Sequence, residues 1–133
     1  MRILVLGGYG HFGARIARAL VASPGVEVVV AGRDGARAAS LAAVLGPGAQ
    51  GVSLDHSGHL MGATLRRLGI GAVVHAAGPF QGQGWRVARE VAAAGAHYIV
   101  LVDGRCFVCD SRAELDAAFR AAGRFGCSGA SSV

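Results

Sequence analysis

ILVLGGYGHFG, at residues 3–13, is the stretch that decides the fold of this chain. Its first four residues are apolar and predict a short buried strand. The glycines at positions 8, 10 and 13 then have the spacing G-x-G-x-x-G. Residues 11–22 carry apolar side chains at four-residue spacing, which predicts a helix. A glycine loop that follows a strand, opens a helix and begins a βαβ unit is the context in which this spacing binds a dinucleotide.

Each glycine of the loop has a predicted task. Gly8 permits the tight turn, Gly10 lets the backbone approach a pyrophosphate, and Gly13 lets the helix pack closely on the strand. The helix N-terminus offers N–H groups and a positive dipole end to phosphates. The alternative is an ordinary glycine turn, and the loop lacks the Lys-Ser/Thr ending of an NTPase P-loop. We expect the other loop residues to lie beside the cofactor: Tyr9, His11 and Phe12.

Strand-like and helix-like segments alternate along the whole chain of 133 residues. Strands are predicted at 2–6, 26–31, 50–54, 71–76 and 98–102, with a poorly formed sixth near 125. Helices are predicted at 11–22, 35–45, 57–68, 84–94 and 111 to about 122, the last opened by a capping box at 111–114. This alternation predicts one α/β domain over residues 1–133, a Rossmann-type doubly wound parallel sheet with strand order 3-2-1-4-5-6.

The end of the second predicted strand bears on the choice of cofactor. Arg33 lies about twenty residues beyond the glycine loop, where the residue that contacts the ribose is expected. A guanidinium there suits the 2′-phosphate of NADP, whereas the neighbouring Asp34 would serve NAD if its side chain turned inward. We therefore predict NADP as the preferred cofactor, with NAD as the alternative. Asp55, after the third strand, is expected either to accept from the adenine amino group or to cap the next helix.

Composition excludes several other classes of function. The formal net charge of +5 comes from arginines spread along the chain, without a basic tract interleaved with aromatics, so we expect no nucleic-acid partner. The apolar runs are strand-length, and the N-terminus enters a strand directly, so neither a membrane span nor a signal peptide is expected. Three cysteines argue against a disulfide framework and favour a reducing cytoplasm.

The remaining reactive side chains give weaker signals. Cys106 and Cys109 form a C-x-x-C, which we interpret as structural or incidental thiols in preference to a redox pair or half of a metal site. His75, at the end of the fourth strand, is the one acid–base candidate, although a hydrogen-bonded strand-end histidine is the favoured interpretation. We assign no catalytic residue and no metal ligand from the sequence.

One further segment extends these observations to a family. VVHAAGPFQGQG, at residues 73–84, is similar to the Ala-Ala-Gly-Pro-Phe stretch that follows strand four in saccharopine dehydrogenase-like reductases. With the glycine loop and the Ala-Gly-Arg-Asp strand end, the resemblance covers nearly the whole chain. It implies an NAD(P)-binding domain in which Ala77, Gly78 and Pro79 run past the pyrophosphate and the nicotinamide ribose.

The resemblance also implies a catalytic and dimerising domain, which would position an amino-acid-like or other carbonyl or imine substrate for hydride transfer. This chain departs from the family pattern in two respects. It has Ile99 and Val100 after Tyr98, where the family commonly has a carboxylate, and it ends at Val133. We expect that second domain to be absent here. The apolar surface of this domain on which it would have packed should then cause self-association. The alternative is a non-catalytic redox-sensor or regulatory module that binds the dinucleotide.

Overall fold

A parallel β-sheet between two helical layers makes up the computed structural model, which describes residues 1–56, 60–77, 85–101 and 115–127. Within those ranges the strands are β1 (Arg2–Leu6), β2 (Glu27–Gly32), β3 (Ala49–Ser53), β4 (Ala72–His75), β5 (His97–Val100) and β6 (Gly126–Cys127). The helices are α1 (His11–Val21), α2 (Gly35–Leu45), α3 (Met61–Leu68), α4 (Arg86–Ala93) and α5, which is helical over residues 115–122.

The six strands are ordered β3-β2-β1-β4-β5-β6, and each neighbouring pair is parallel. Strand β1 lies at the centre, with Leu4 opposite Val29 of β2 on one side and Val73 of β4 on the other. The predicted fold class and strand order are thereby confirmed. Successive strands are added to one side of β1 up to β3 and to the other side from β4 onward. The position between β1 and β4 is therefore the switch point where doubly wound sheets bind ligands.

Both faces of the sheet are covered, which explains why its central strands are apolar at most positions. Leu4 and Leu6 of β1 point into the layer formed with α3, α4 and α5, together with Tyr98 of β5. Val5 points to the opposite face, where it packs with Ala17 of α1 and other small side chains. The alternation follows from the two-residue period of a strand.

The predicted boundaries agree with the structure to within a few residues. Strand β2 begins and ends one residue later than expected, and the sixth strand is two residues long, at Gly126–Cys127. Helix α3 begins at Met61. The start predicted for that helix at residue 57, the start predicted for α4 at residue 84 and the capping box at 111–114 all lie outside the described residues. No helix in the described ranges is both long enough and apolar enough to cross a membrane.

Candidate functional site

The glycine loop joins β1 to α1 through a turn centred on Gly7. Gly7 has a positive φ of 76° and donates its backbone N–H to the carbonyl of Ala31 at 2.8 Å. We expected Gly8 to permit this turn, but the left-handed residue is Gly7. Gly8 is small for another reason: a Cβ there would lie 2.8 Å from the side chain of Val30. Backbone hydrogen bonds from Gly7 and Gly8 thus hold the loop against β2. The space beside Val30 leaves no room for a side chain at Gly8.

Gly13 has the packing role that its spacing predicts. A Cβ at this position would lie 2.1 Å from the carbonyl oxygen of Gly7 and 2.8 Å from the Cα of Gly8. Real Cβ atoms do not approach backbone atoms so closely, so any larger residue would push α1 away from the loop. Gly13 therefore sets the distance between the helix N-terminus and the end of β1.

The N-terminus of α1 is open to an anion. Gly10 is its N-cap residue, and neither a side-chain cap nor an acidic residue occupies its first turn. The first N–H groups of a helix have no partner within the helix, so they are available to phosphate oxygens. The side chains of His11 and Phe12 are exposed, with their rings edge to face at 5.3 Å. Neither residue lines the cavity that is described below.

Tyr9 connects the glycine loop to the end of β2. Its hydroxyl accepts a hydrogen bond from the backbone N–H of Asp34 at 3.0 Å. Its ring packs against Gly32, where a Cβ would come within 2.3 Å of the ring. The guanidinium of Arg37 lies over the same ring, 4.5 Å from its centroid, and makes a cation–π contact. Gly32 is therefore the residue that makes room for the tyrosine.

Asp34 and Arg33 have different tasks at this strand end. The Asp34 carboxylate accepts from the backbone N–H of Arg37 at 3.1 Å and is the side-chain cap of α2. Arg33 is exposed and lines the cavity, while its carbonyl accepts from the hydroxyl of Ser53. The inward-turned Asp34 that would serve NAD is not the conformation of this structure.

A cavity of about 210 Å³ opens beyond the carboxyl ends of β1, β2 and β4. Small-molecule sites span roughly 300–1,000 Å³, so this volume fits a part of a dinucleotide. Its lining is mostly apolar side chains and glycines, together with Arg33 and His56. The residues that line it are Leu6, Gly7, Tyr9, Gly10, Gly32, Arg33, His56, Ala76 and Ala77.

Behind the cavity lies a buried polar pair. His75, at the end of β4, is 1% exposed, and its Nδ1 shares a 2.7 Å hydrogen bond with the hydroxyl of Tyr98. Burial lowers the pKa of His75 to about 4, and burial also raises the pKa of Tyr98. His75 is not among the residues that line the cavity. These contacts are those of a hydrogen-bonded core histidine, which was the favoured interpretation of the sequence.

The structure describes some of the remaining candidate residues and cysteines and not others. Asp55 is exposed beside the cavity-lining His56, and it does not cap α3, whose N-cap position is Leu60. Gly78 and Pro79 lie outside the described residues, as do Cys106 and Cys109. Cys127 lies exposed in β6. No group of three or more potential metal ligands occurs within the part of the chain that the structure describes.

Comparison with known proteins identifies the family of this chain. The family described as "Saccharopine dehydrogenase NADP binding domain" matches residues 3–124. The chain belongs to this family. No curated protein sequence matches it. As a member of the saccharopine dehydrogenase NADP-binding domain family, the chain is a dinucleotide-binding domain of the kind found in these oxidoreductases, and the resemblance inferred from residues 73–84 and the glycine loop is confirmed.

Solved structures show the same fold. Apo saccharopine dehydrogenase (L-Glu forming) from Saccharomyces cerevisiae is 20% identical, with a TM-score of 0.73 over 97% of this chain and 27% of that one. The RhlG/NADP active-site complex from Pseudomonas aeruginosa is 26% identical, with a TM-score of 0.51 over 68% of this chain and 40% of that one. UDP-glucuronic acid 4-epimerase from Bacillus cereus, in complex with NAD, is 22% identical, with a TM-score of 0.53 over 75% of this chain and 39% of that one. The chain thus spans about a quarter of the yeast enzyme's length.

Sequence reasoning predicted four of the cavity residues and missed five. Tyr9, Gly10, Arg33 and Ala77 were expected at the site and line the cavity. Four residues at the strand ends were missed as site residues: Leu6, Gly7, Gly32 and Ala76. Three of them directly precede a predicted one, and Leu6 lies two residues before Gly8. His56 had no signal of its own, because the loop after β3 carries no motif and its position depends on the register of β3 against β2.

Proposed function

We propose that this domain binds NADP in preference to NAD and presents its nicotinamide for hydride transfer. The observation that carries the proposal is that two adjacent residues at the end of β2 make different contacts. Arg33 lines the cavity, while the neighbouring carboxylate of Asp34 is engaged as the cap of α2. A guanidinium at this position suits a 2′-phosphate, because charge-assisted hydrogen bonds to phosphate are strong and can be bidentate.

A second cation supports the preference for the phosphorylated cofactor. Arg37, in the first turn of α2, holds its guanidinium over Tyr9, which is itself a cavity residue. The end of β2 therefore carries a net positive charge, because the two guanidinium groups of Arg33 and Arg37 accompany the single carboxylate of Asp34 in residues 33–37. This arrangement favours a dianionic group over a ribose hydroxyl.

The pyrophosphate would be held by backbone. The open N-terminus of α1 supplies N–H donors, and Gly7 and Gly10 allow the loop to approach the phosphates without side chains. When bound, the nicotinamide supplies or accepts the hydride, and the residues of this chain bind and orient it. The described residues hold no group that we assign to acid–base catalysis.

We extend the proposal to the whole protein from the family alone. A chain of this family would work as the cofactor half of an oxidoreductase that acts on an amino-acid-like or other carbonyl or imine substrate. That substrate would be bound by a catalytic domain, and we expect the protein to self-associate through apolar surface. We expect the protein to be located in a reducing cytoplasm. We expect neither nucleic acid nor a membrane as its partner.

The test is a calorimetric titration of the protein with NADPH and with NADH. Charge-assisted contacts contribute about 1.5–3 kcal/mol, so we expect NADPH to bind about tenfold or more tightly than NADH. The Arg33→Ala variant should lose this preference and keep its affinity for NADH. Arg18→Ala, which removes an exposed arginine of α1 outside the cavity lining, is the matched control and should keep the preference.

Two results would contradict the proposal. If the parent protein binds neither nucleotide, the site is not a working cofactor site. If it binds NADH as well as NADPH and Arg33→Ala changes neither affinity, the 2′-phosphate is not recognised through the end of β2.

A further inference from the structure

The two edges of the described sheet differ in length and in protection. Strand β6 ends one edge and is two residues long. Strand β3 ends the other edge with five residues, Ala49–Ser53, and no strand in the described ranges lies on its outer side, away from β2. Proteins commonly protect such an edge with charged side chains, proline or a bulge. The sequence of β3 contains neither a charged residue nor a proline.

The backbone of β3 presents donors and acceptors to its outer side. The carbonyl of Gly48 accepts a hydrogen bond from β2, and the N–H of Leu54 donates one to β2. In a parallel ladder, alternate residues direct both of their backbone groups toward the same neighbouring strand. The even-numbered residues from 48 to 54 therefore bond to β2. The carbonyl of Ala49 and both backbone groups of Gly51 and Ser53 face the outer side.

Helix α2 lies close over this edge and has small side chains beside it. A Cβ at Gly51 would lie 2.5 Å from the backbone nitrogen of Ala39. Ala39 and Ala43 are exposed and lie one turn apart on the same flank of the helix. The one charged residue of α2, Arg37, lies on the opposite flank, over Tyr9. A second backbone can therefore approach the edge without meeting a long or charged side chain from α2.

The distribution of charge favours a second copy of this chain as the molecule that pairs with the edge. The formal net charge is +5, and each of α1, α3, α4 and α5 carries two or more charged residues. Residues 38–54, in contrast, contain no charged side chain. A two-fold contact brings each residue close to its own equivalent, so like charges there would repel. The outer side of β3 and the near flank of α2 form a surface on which two positively charged copies can meet without this repulsion.

We propose that β3 pairs with β3 of a second copy, antiparallel across a two-fold axis, and joins the two sheets into one. Gly51 lies opposite its own equivalent in this pairing, and Ala49 lies opposite Ser53, so the outward donors of each strand meet the acceptors of the other. Resting on the self-association expected under the proposed function, the pairing identifies the surface on which two copies meet. It does not require bound cofactor, because none of these residues lines the cavity.

Gln50 is the position at which to test the pairing, since its side chain is exposed and lies outside the cavity lining. In the proposed dimer it is opposite Val52 of the second copy and diagonal to its own equivalent, within reach of a long side chain. Gln50→Lys and Gln50→Glu each place like charges across the axis. We expect each variant to dimerise about tenfold or more weakly than the parent in sedimentation equilibrium. An equimolar mixture of the two variants should recover dimers, because opposite charges then face each other.

Ala121→Lys is the matched control. It adds the same charge as Gln50→Lys at an exposed position of α5, the helix that packs at the other edge of the sheet through Phe119 against Gly126. Because this edge takes no part in the proposed pairing, Ala121→Lys should dimerise as tightly as the parent.

Amide hydrogen exchange, followed by NMR, locates the contact between the copies. In the parent, the N–H groups of Gly51 and Ser53 should exchange more slowly at high protein concentration than at low concentration. In Gln50→Lys they should exchange rapidly at both concentrations. The N–H of Leu54 is bonded to β2 and should be protected in both proteins at both concentrations.

The outcomes separate this pairing from the cofactor proposal. If the parent is a monomer at every concentration, the pairing and the expected self-association are both wrong, whereas calorimetry with NADPH and NADH still decides the choice of cofactor. If the parent dimerises and both Gln50 variants dimerise as tightly as Ala121→Lys, the copies meet on another surface. The pairing is equally wrong if the mixed variants dimerise no better than either alone. Should a variant melt at a much lower temperature, the concentration dependence of exchange at Gly51 and Ser53 in the parent still decides the question.

Discussion

The hydroxyl of Tyr9 and the backbone N–H of Asp34 form a 3.0 Å hydrogen bond that joins the glycine loop after β1 to the residue that caps α2. This bond links the segment that would hold the pyrophosphate to the segment that would hold the 2′-phosphate. Since Asp34 also caps α2 through its carboxylate, one residue fixes the helix and the loop together. The relationship explains how a glycine-rich loop is tied to the neighbouring strand end through its one tyrosine.

Tyr9→Phe tests this link with the smallest possible change. It removes the hydroxyl and keeps the ring between Gly32 and Arg37. A typical hydrogen bond contributes roughly 0.5–1.5 kcal/mol, so we expect the free energy of unfolding, measured with urea, to fall by about that amount. NADPH should bind more weakly in calorimetry, because the loop loses its tie to β2. Unchanged stability together with unchanged affinity would show that the hydrogen bond holds nothing in place.

Gly13→Ala tests the close approach of α1 to the loop. The added methyl would meet the carbonyl oxygen of Gly7 at 2.1 Å, so the helix must shift. Overpacking of this kind costs about 1–3 kcal/mol, and the shift should abolish measurable binding of NADPH by displacing the helix N-terminus. Thermal unfolding and calorimetry measure the two effects.

The matched control is the same substitution at Gly62 in α3. There the nearest atom to a new Cβ is 3.7 Å away and belongs to the flexible guanidinium of Arg66. Alanine is the better helix former, so the stability of Gly62→Ala should be unchanged or raised by less than about 1 kcal/mol. Equal effects at the two positions would mean that the contact between Gly13 and Gly7 has no special role.

The sequence predicted the sheet and the phosphate loop because both are determined locally. Continuous apolar strands such as β2 predict a sheet that is covered on both faces, and the spacing of Gly8, Gly10 and Gly13 predicts a helix N-terminus beside a turn. Spacing cannot tell which of two adjacent glycines adopts the positive φ, so Gly7 was missed. The capping role of Asp34 had a usable signal, since an aspartate directly before a predicted helix is a strong N-cap candidate.

His56 was missed for a different reason. Its place in the cavity depends on the parallel register of β3 against β2, in which Val52 lies opposite Ala31. That register brings residues more than twenty positions apart to the same edge of the sheet, and a sequence without a motif in this loop does not reveal it. The contact of His56 with His75 likewise joins the loop after β3 to the end of β4.

Asp34→Ala should affect stability and leave the choice of cofactor intact. The substitution removes the side-chain cap of α2, which typically costs about 0.5–2 kcal/mol, while Asp34→Asn keeps an acceptor and should cost less. Because the carboxylate caps α2 and we propose that Arg33 contacts the ribose phosphate, the ratio of NADPH to NADH affinity should stay the same or rise. A selective tenfold loss of NADH binding in Asp34→Ala would show that this carboxylate contacts the ribose of NAD.

The stability of the domain should decrease as the pH falls from about 6.5 to about 4. The pKa of His75 is lowered from 6.5 to about 4 by burial, so in this interval the unfolded chain binds a proton at this imidazole that the folded chain does not. The free energy of unfolding therefore falls by roughly 3 kcal/mol across the interval and changes no further through this group below it. His56, whose pKa is also lowered, adds a smaller effect of the same sign.

Urea unfolding of three proteins at pH 8, 6 and 4.5 isolates the contribution of His75. The double variant His75→Phe/Tyr98→Phe removes both partners of the buried hydrogen bond and leaves neither unsatisfied, so it should fold and lose most of the pH dependence. Tyr98→Phe alone keeps the buried imidazole and should retain the dependence, because this phenol does not ionise in the acidic range. If the parent and the double variant lose stability equally between pH 6 and 4.5, the acid sensitivity arises from carboxylates elsewhere and not from the buried histidine behind the cavity.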